Sequence, residues 1–439
     1  MKALVFERAV ARFAAARVAA TLRGSGHGAA AGPLRMVDAD QPDLPGPAWG
    51  RVRPLLAGIC GSDLATVDGA SSRYFEEMVS FPFVPGHEVV GTLEQPPDGS
   101  PLAAGSRVVI EPVIGCVPRG VEPPCPACAA GDTGACQHLA VGHLSPGLQI
   151  GYCADTGGGW SAAGLVAHAS QLHAVPDGLS DEDAVMVEPT ACAVHGALAA
   201  EVADGACVAV LGAGTLGLAT VAALRRLSDP GQLLVGARYP HQRSLALELG
   251  ADRAVEPDQL DRSVRRATRS LRLAGQVTAG ADVVVDCVGS SASLAASLAM
   301  VRPRGRVVLV GMPGRLHVDL APLWHRQVTL AGTYAYGLEA GGRRTFDLAF
   351  DVVAAAGLGR LVSARYPLER YAEALAHAGA AGRRGAVKIV FEPGQRPPRQ
   401  VPPDERAPRT VASGAPRPAG GRSGAGGTRR SGTRKGRTP

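Results

Sequence analysis

Aromatic side chains make up only 4% of this 439-residue sequence and charged ones 19%, and it contains no run of 18 apolar residues. The missing apolar run argues against a membrane-spanning helix. Low charge beside 46% hydrophobic residues excludes a largely disordered chain. The scarcity of aromatics, against frequent Gly, Ala and Arg, reads as a GC-rich codon bias. The N-terminal segment lacks the apolar core of a secretion signal, being interrupted by Glu7, Arg8, Arg12 and Arg17. Lys2–Phe6 reads instead as a first strand. A disulfide framework is disfavoured because the cysteines number nine, an odd set, and Cys116, Cys125, Cys128 and Cys136 crowd into one short stretch. Metal ligands and free thiols in a reducing, cytoplasmic setting are expected instead. There is no internal repeat.

The length calls for two domains with appendages. Net charge is +6, but Arg396–Pro439 holds eleven basic and two acidic residues, so the rest of the chain is mildly acidic. Nucleic-acid binding by the folded part is therefore not expected. From 394 onward the Pro, Gly, Arg and Ser residues have almost nothing large and apolar to bury, which reads as a disordered tail. Its basicity would attract RNA or another acidic surface; the simpler expectation is a dispensable extension. Up to about residue 190 the chain is rich in Gly and Pro, with strand-like runs at 3–6, 52–56, 89–93 and 107–110, as in a loop-rich β domain. Beyond it, strands at 207–211, 232–235, 281–286 and 306–310 alternate with helices at 216–227, 244–249 and 291–301. Such alternation means a parallel sheet with crossover helices. A strand at 328–334, helices at 345–356 and 370–378, and a last strand at 387–391 complete the reading.

Gly212-Ala213-Gly214-Thr215-Leu216-Gly217 directly follows the strand Val208–Leu211 and opens a helix, the context a dinucleotide-binding G-x-G-x-x-G requires. Gly212 permits the tight turn, Gly214 lets the backbone approach a pyrophosphate, and Gly217 lets the helix pack on the sheet. Thr215 and Leu216 begin the helix whose N–H groups meet the phosphates. Val288 and Gly311, at the ends of later strands, line the nicotinamide pocket. The second strand ends at Arg238, where an NAD-preferring site has an acid; Arg238, helped by Arg243, suits the 2′-phosphate of NADP. NAD remains the other possibility.

Cys60 in Cys60-Gly61-Ser62-Asp63, His87 in Pro85-Gly86-His87-Glu88 and the later Glu188 supply a thiolate, an imidazole and a carboxylate. That set makes a three-ligand zinc site with one position open. Cys125-x2-Cys128-x7-Cys136 suits a closed tetrahedral zinc site. In chain order, these motifs with Glu188-Pro189 and the Gly212–Gly217 turn resemble the zinc-dependent medium-chain dehydrogenase/reductase family, over about residues 1–393. Within it the chain is similar to the polyol, threonine and glucose dehydrogenase branch.

The resemblance implies a GroES-like β-rich catalytic domain (1–190, closed by 335–393) and a Rossmann domain (191–334), with the tail at 394–439. It implies hydride transfer from an alcohol, polyol or sugar CH–OH group to NAD(P), assisted by catalytic zinc. Cys60 and His87 match catalytic zinc ligands; Glu88 matches the carboxylate beside the metal, which in some members binds it directly or through water, and Glu188 the ligand of the polyol-like branch, so the third ligand is Glu88 or Glu188. Asp63 matches the acid that orients the ligating His, and Ser62 the hydroxyl that takes the substrate proton. Many members end the proton relay in a His just after this motif. Leu64 and Ala65 stand here, so the route runs from Ser62 through the cofactor ribose to water. The family's first lobe cysteine falls on Glu122; Cys116 is favoured as fourth ligand because four thiolates suit zinc's softness. Cys153, Cys192, Cys207 and Cys287 read as small buried hydrophobes, and His138, His143, His195 and His325 receive no role. Substrate choice is expected in loops 66–80 and 334–337. A homo-oligomer, dimer or tetramer, without a membrane partner is implied. Two other readings stay open: a zinc-free quinone or enone reductase on the same fold, and a non-catalytic cofactor-binding protein whose tail binds nucleic acid.

Overall fold

The computed structural model describes residues 1–273 and 275–394. Apart from Gly394, the expected disordered tail lies outside them. Two sheets dominate. One has six parallel strands in the spatial order Arg253–Val255, Gln232–Gly236, Cys207–Leu211, Ala281–Asp286, Val301–Leu309, Thr329–Gly332. Numbered along the chain this is 3-2-1-4-5-6, the doubly wound dinucleotide-binding order. Its first strand is buried along its whole length, because helices cover both faces of a parallel sheet. The sheet's order reverses between Cys207–Leu211 and Ala281–Asp286, so a crevice opens at the carboxyl ends of these two strands.

The second sheet has seven strands, chiefly antiparallel: Val362–Tyr366, Lys388–Phe391, Trp49–Gly58, Val89–Gln95, Arg107–Ile110 and Leu172–Ala174 in order, with Leu165–His168 also on Trp49–Gly58. Two of its strands come from the end of the chain, so the C-terminal segment returns to complete a sheet begun at residue 49. Trp160, Phe6 and Phe391 fill its core. The expected fold class, a GroES-like β-rich part with a Rossmann sheet, is formed.

Departures from the sequence reading have local causes. The Ala-rich stretch Val10–Arg23 is a helix; high helix propensity makes it, and Phe13 anchors it edge-to-face on Phe6 at 5.6 Å. Pro257–Thr268 is also helical, hidden in sequence because little more than Leu260 and Val264, one turn apart, faces the core. The helix expected at 244–249 begins at Pro240, where a first-turn proline is favoured. The strand expected at 328–334 stops at Gly332, before Ala335 turns to φ +55°. No described helix is long and apolar enough to cross a membrane.

Ionic contacts fasten the returning segment. Lys388 Nζ on the last strand pairs with Glu88 Oε2, both buried, and also donates to the Ile59 carbonyl at 3.2 Å. Buried Glu111 accepts from His173 Nε2 at 2.8 Å and from Arg344 at 2.5 Å. Glu339 Oε1 accepts from His195 Nδ1 at 2.8 Å and from Thr345 Oγ1 at 2.6 Å. The hydrogen bond to Glu339 holds the His195 pKa above its ordinary value against the opposing effect of burial. Burial pushes Glu339 up, but its bonds to His195 and Thr345 outweigh that and leave it lowered.

Removing one partner of a buried pair strands the other charge. Lys388→Met should therefore cost about 3–5 kcal/mol in urea unfolding, with partial recovery in the Lys388→Met/Glu88→Gln double variant. For His195, a raised folded pKa means its contribution is complete below the ordinary imidazole value and fades as pH rises through the folded value. Glu339 works in the opposite sense, its contribution being lost as pH falls through the carboxylate range. The stability gap between the native protein and His195→Gln should be widest near pH 5.5–6.5 and narrow by pH 9, as ~pH windows set by ordinary pKa values. A gap that does not vary with pH would exclude this pair as a titrating contact.

Candidate active site and metal centres

Cys60 ends the long strand Trp49–Gly58 and caps the short helix Gly61–Val67. Asp63 reaches back, its Oδ2 accepting the Cys60 backbone N–H at 2.9 Å, while the Cys60 side chain faces the third backbone N–H of the helix. The Cys-Gly-Ser-Asp sequence is thus a reciprocal helix cap that aims the thiol. His87 and Glu88 lead into the neighbouring antiparallel strand Val89–Gln95. At Gly58 a Cβ would lie 1.9 Å from Glu88 Oε2 and 2.8 Å from Lys388 Cε, so only glycine lets Glu88 and Lys388 meet beside the thiol. The ligand atoms of Cys60, His87 and Glu88 all lie within 4.8 Å of one another.

Asp63 also faces the imidazole, its Oδ1 lying 3.5 Å from His87 Nδ1, and accepts the Tyr152 hydroxyl at 3.2 Å. A carboxylate behind a ligating histidine fixes its ring and raises its basicity. Burial disfavours a charge on His87, but the Asp63 carboxylate outweighs it and holds the pKa well above its ordinary range. Glu188 is not in the tight Cys60–His87–Glu88 group. It sits in the first turn of the helix Val187–Ala199, 5% exposed, and its Oε1 accepts the Tyr336 hydroxyl at 2.9 Å. Burial lifts its pKa to about 7, the neighbouring Glu88 adding to the effect and His87 opposing it. Ser62, half-buried, stands beside Tyr152.

This donor set fits a cation. A thiol, an imidazole and carboxylates are gathered in one largely buried site; Glu88 is already met by Lys388, and Glu188 makes no ion pair among the described residues. Soft and borderline ligands of this kind suit zinc.

The second cluster joins Cys116, Cys125, Cys128 and Cys136, with sulfurs mutually within 4.8 Å, and leaves Glu122 exposed. Every sulfur faces a backbone N–H: Cys116 that of Cys125 at 3.3 Å, Cys125 those of Cys128 and Gln137 at 3.5 Å, Cys128 that of Cys116 at 3.5 Å, and Cys136 that of His138 at 3.4 Å. Such donors stabilise thiolates; burial raises Cys125, yet these N–H groups bring it down to about 6. The four sulfurs fit a closed metal site. His138 Nδ1 lies 3.4 Å from Cys116 Sγ, a contact the sequence did not signal.

At the dinucleotide turn, Gly212 has φ +91°, and a Cβ on Gly217 would lie 2.0 Å from the Gly212 carbonyl oxygen. In front of Gly214 nothing stands within 4 Å, and the helix Thr215–Leu227 begins with neither a side-chain cap nor an acid. Its free N–H groups fit an anionic phosphate. Val288 and Gly311 flank the turn: a Cβ on Gly212 would meet Val288 Cγ2 at 2.7 Å, and one on Gly311 the Val288 backbone at 2.6 Å. Arg238 is exposed and its guanidinium engages no described residue, whereas Arg243 is occupied by the carbonyls of Ala237 and Arg238, both at 3.0 Å, and by Glu256 at 3.6 Å.

Sequence reasoning missed Tyr152, Lys388 and Cys192 at the site, and it placed Tyr336 only within the expected substrate loop 334–337, without its contact to Glu188. Cys192, read as a small hydrophobe, sits one helical turn after Glu188 with its sulfur 3.9 Å from Glu188 Oε1; the i, i+4 spacing was the available signal. Tyr152 and Lys388 are far from Cys60 in sequence, and nothing local marks them.

Residues 46–177 match the family model described as alcohol dehydrogenase GroES-like domain, and residues 215–358 that of zinc-binding dehydrogenase. A sorbitol dehydrogenase of Arabidopsis thaliana is 31% identical over 294 residues, covering 66% of this chain and 75% of its own. An L-idonate 5-dehydrogenase of Vitis vinifera is 28% identical over 79% of this chain and 88% of its own. A zinc-binding dehydrogenase of Sinorhizobium meliloti, solved with NADP, superposes with a TM-score of 0.63 at 27% identity, over 82% of this chain and 95% of its own. With the clustered ligands and the doubly wound sheet, these likenesses make the chain a member of the zinc-dependent medium-chain dehydrogenase/reductase family, in its polyol and sugar dehydrogenase branch.

Proposed function

We propose that this protein is an NADP-preferring dehydrogenase of a polyol, sugar or other secondary alcohol. The observation that carries this is the convergence of Cys60, His87 and a buried carboxylate in one site, with Asp63 behind the imidazole. Cys60 and His87 would hold the catalytic zinc with Glu188 as third ligand, because Glu88, the carboxylate clustered with them, is already neutralised by Lys388. Cys116, Cys125, Cys128 and Cys136 hold a structural zinc. Bound zinc supplies Lewis-acid polarisation of the substrate oxygen, and the nicotinamide accepts the hydride. Ser62 takes the substrate proton. Tyr152, held by Asp63 at 3.2 Å and Thr66 at 3.4 Å, keeps that side of the site ordered. Gly212, Gly214, Thr215, Leu216 and Gly217 cradle the pyrophosphate, Val288 and Gly311 flank the nicotinamide, and Arg238 takes the 2′-phosphate. The sorbitol and L-idonate dehydrogenases among the relatives support the substrate class, and the NADP-bound relative supports the cofactor.

Absorbance of the reduced nicotinamide, followed with zinc-loaded protein and a panel of polyols, sugars and simple alcohols, tests this directly. Turnover with a polyol or secondary alcohol, faster with NADP than with NAD, is expected. Arg238→Ala should raise KM for NADP about 10–100-fold, the worth of a charge-assisted contact, and leave KM for NAD nearly unchanged. Ser62→Ala should lower kcat by about 10²-fold or more. Faster turnover with NAD in the native protein would overturn the Arg238 assignment while leaving the enzyme class standing.

A further inference from the structure

Glu188 is held by a chain of contacts that begins in the cysteine lobe. Its Oε1 accepts from Tyr336, whose ring is 1% exposed and packs edge-to-face on Phe346 at 4.9 Å. The Tyr336 carbonyl in turn accepts the Thr133 hydroxyl at 3.1 Å, and Thr133 lies between Cys128 and Cys136. Leu338 N–H donates to the Gly131 carbonyl at 3.0 Å, so the lobe grips the segment on both sides of Gly337. At Gly134 a Cβ would lie 2.7 Å from the Tyr334 carbonyl oxygen and 3.2 Å from Ala335 Cβ; only glycine lets the lobe press so closely on Ala335, which is in the left-handed region at φ +55°. From the other side, Thr345 brackets Gly337, its Oγ1 accepting the Gly337 N–H at 3.1 Å and its own N–H donating to the Gly337 carbonyl at 2.9 Å.

We infer that Tyr336 is a positioning residue, set in place by the cysteine lobe through Thr133, which occupies one oxygen of Glu188 and presents the other to the catalytic metal. This rests on the reading of Glu188 as a metal ligand. A carboxylate with one oxygen committed to a hydroxyl binds a cation through a single oxygen, with its direction fixed. Glu88, the rival carboxylate, has its charge met by the Lys388 ammonium, whereas the neutral hydroxyl on Glu188 leaves that charge for a metal. The cysteine lobe thus acts on the catalytic site through Tyr336, although none of its cysteines belongs to the Cys60 cluster.

The test follows zinc release from the zinc-loaded full chain into a chromogenic chelator, with circular dichroism as the folding control. Native protein should show one slow phase from the cysteine cluster and one faster phase from the Cys60 site. Tyr336→Phe should speed the faster phase about 10–100-fold and leave the slow phase unchanged, the usual effect of removing a partner of a metal ligand. Glu188→Ala should speed the same phase. Thr133→Val should do so by a smaller factor, and Thr133→Ser, which keeps the hydroxyl, should restore the native rate. If Glu188→Ala speeds one phase and Tyr336→Phe leaves both at native rates, the positioning role is overturned and the ligand assignment stands. If Glu188→Ala speeds neither phase, the ligand assignment falls and the inference with it.

Discussion

Moving a carboxylate from water into a protein interior costs several kcal/mol unless a cation or hydrogen bonds meet it, and this chain places Asp63, Glu88 and Glu188, each at most 5% exposed, around one thiol and one imidazole. The fold answers each of them separately. Asp63 is turned to the Cys60 backbone, the Tyr152 hydroxyl and the face of His87. Glu88 receives the only buried lysine among the described residues, delivered by the last strand. Glu188 receives a tyrosine hydroxyl and makes no ion pair among the described residues, and burial raises its pKa. The charge left over is what a divalent metal would neutralise.

That division explains why the chain's end must return to its beginning. Lys388 and Tyr336 lie after the parallel sheet, yet each meets a buried carboxylate near Cys60 and His87. Segment 334–345 is gripped by the cysteine lobe, by His195 through Glu339, and by Thr345. The return path is therefore part of the site's construction as much as of the fold's closure, and it passes beside the helix that carries Glu188. The parallel sheet contributes a separate, simpler device: a glycine turn at its reversal point and a helix start without acid or cap, open to a phosphate.

Much of this was legible in the residues. Period and composition marked the parallel sheet, since its central strands carry the apolar runs Cys207–Leu211 and Val283–Val285 and helices alternate with its strands. Cys60 and Asp63 are close in sequence and were both read as site residues, Asp63 as the acid behind the histidine, and the roles of Gly212, Gly214 and Gly217 follow from their spacing. The helix Pro257–Thr268 was not legible, because Leu260 and Val264 give too narrow an apolar stripe to stand out. Arg243, expected to assist at the cofactor, proves to serve the Ala237 and Arg238 carbonyls, a choice no spacing reveals.

By itself, the sequence determined the chemical parts: which thiols, imidazole and carboxylates were available, the doubly wound sheet and the glycine turn that opens its first helix, because each of these depends on contacts within a few residues or on periodicity. Tertiary structure decided how the parts were shared out. Only the packing shows that Lys388 stands against Glu88 and that Tyr336 reaches Glu188. The physical reason is separation: these pairs are brought together by strands and loops up to 300 residues apart, where local spacing carries no information and burial of charge selects the partner.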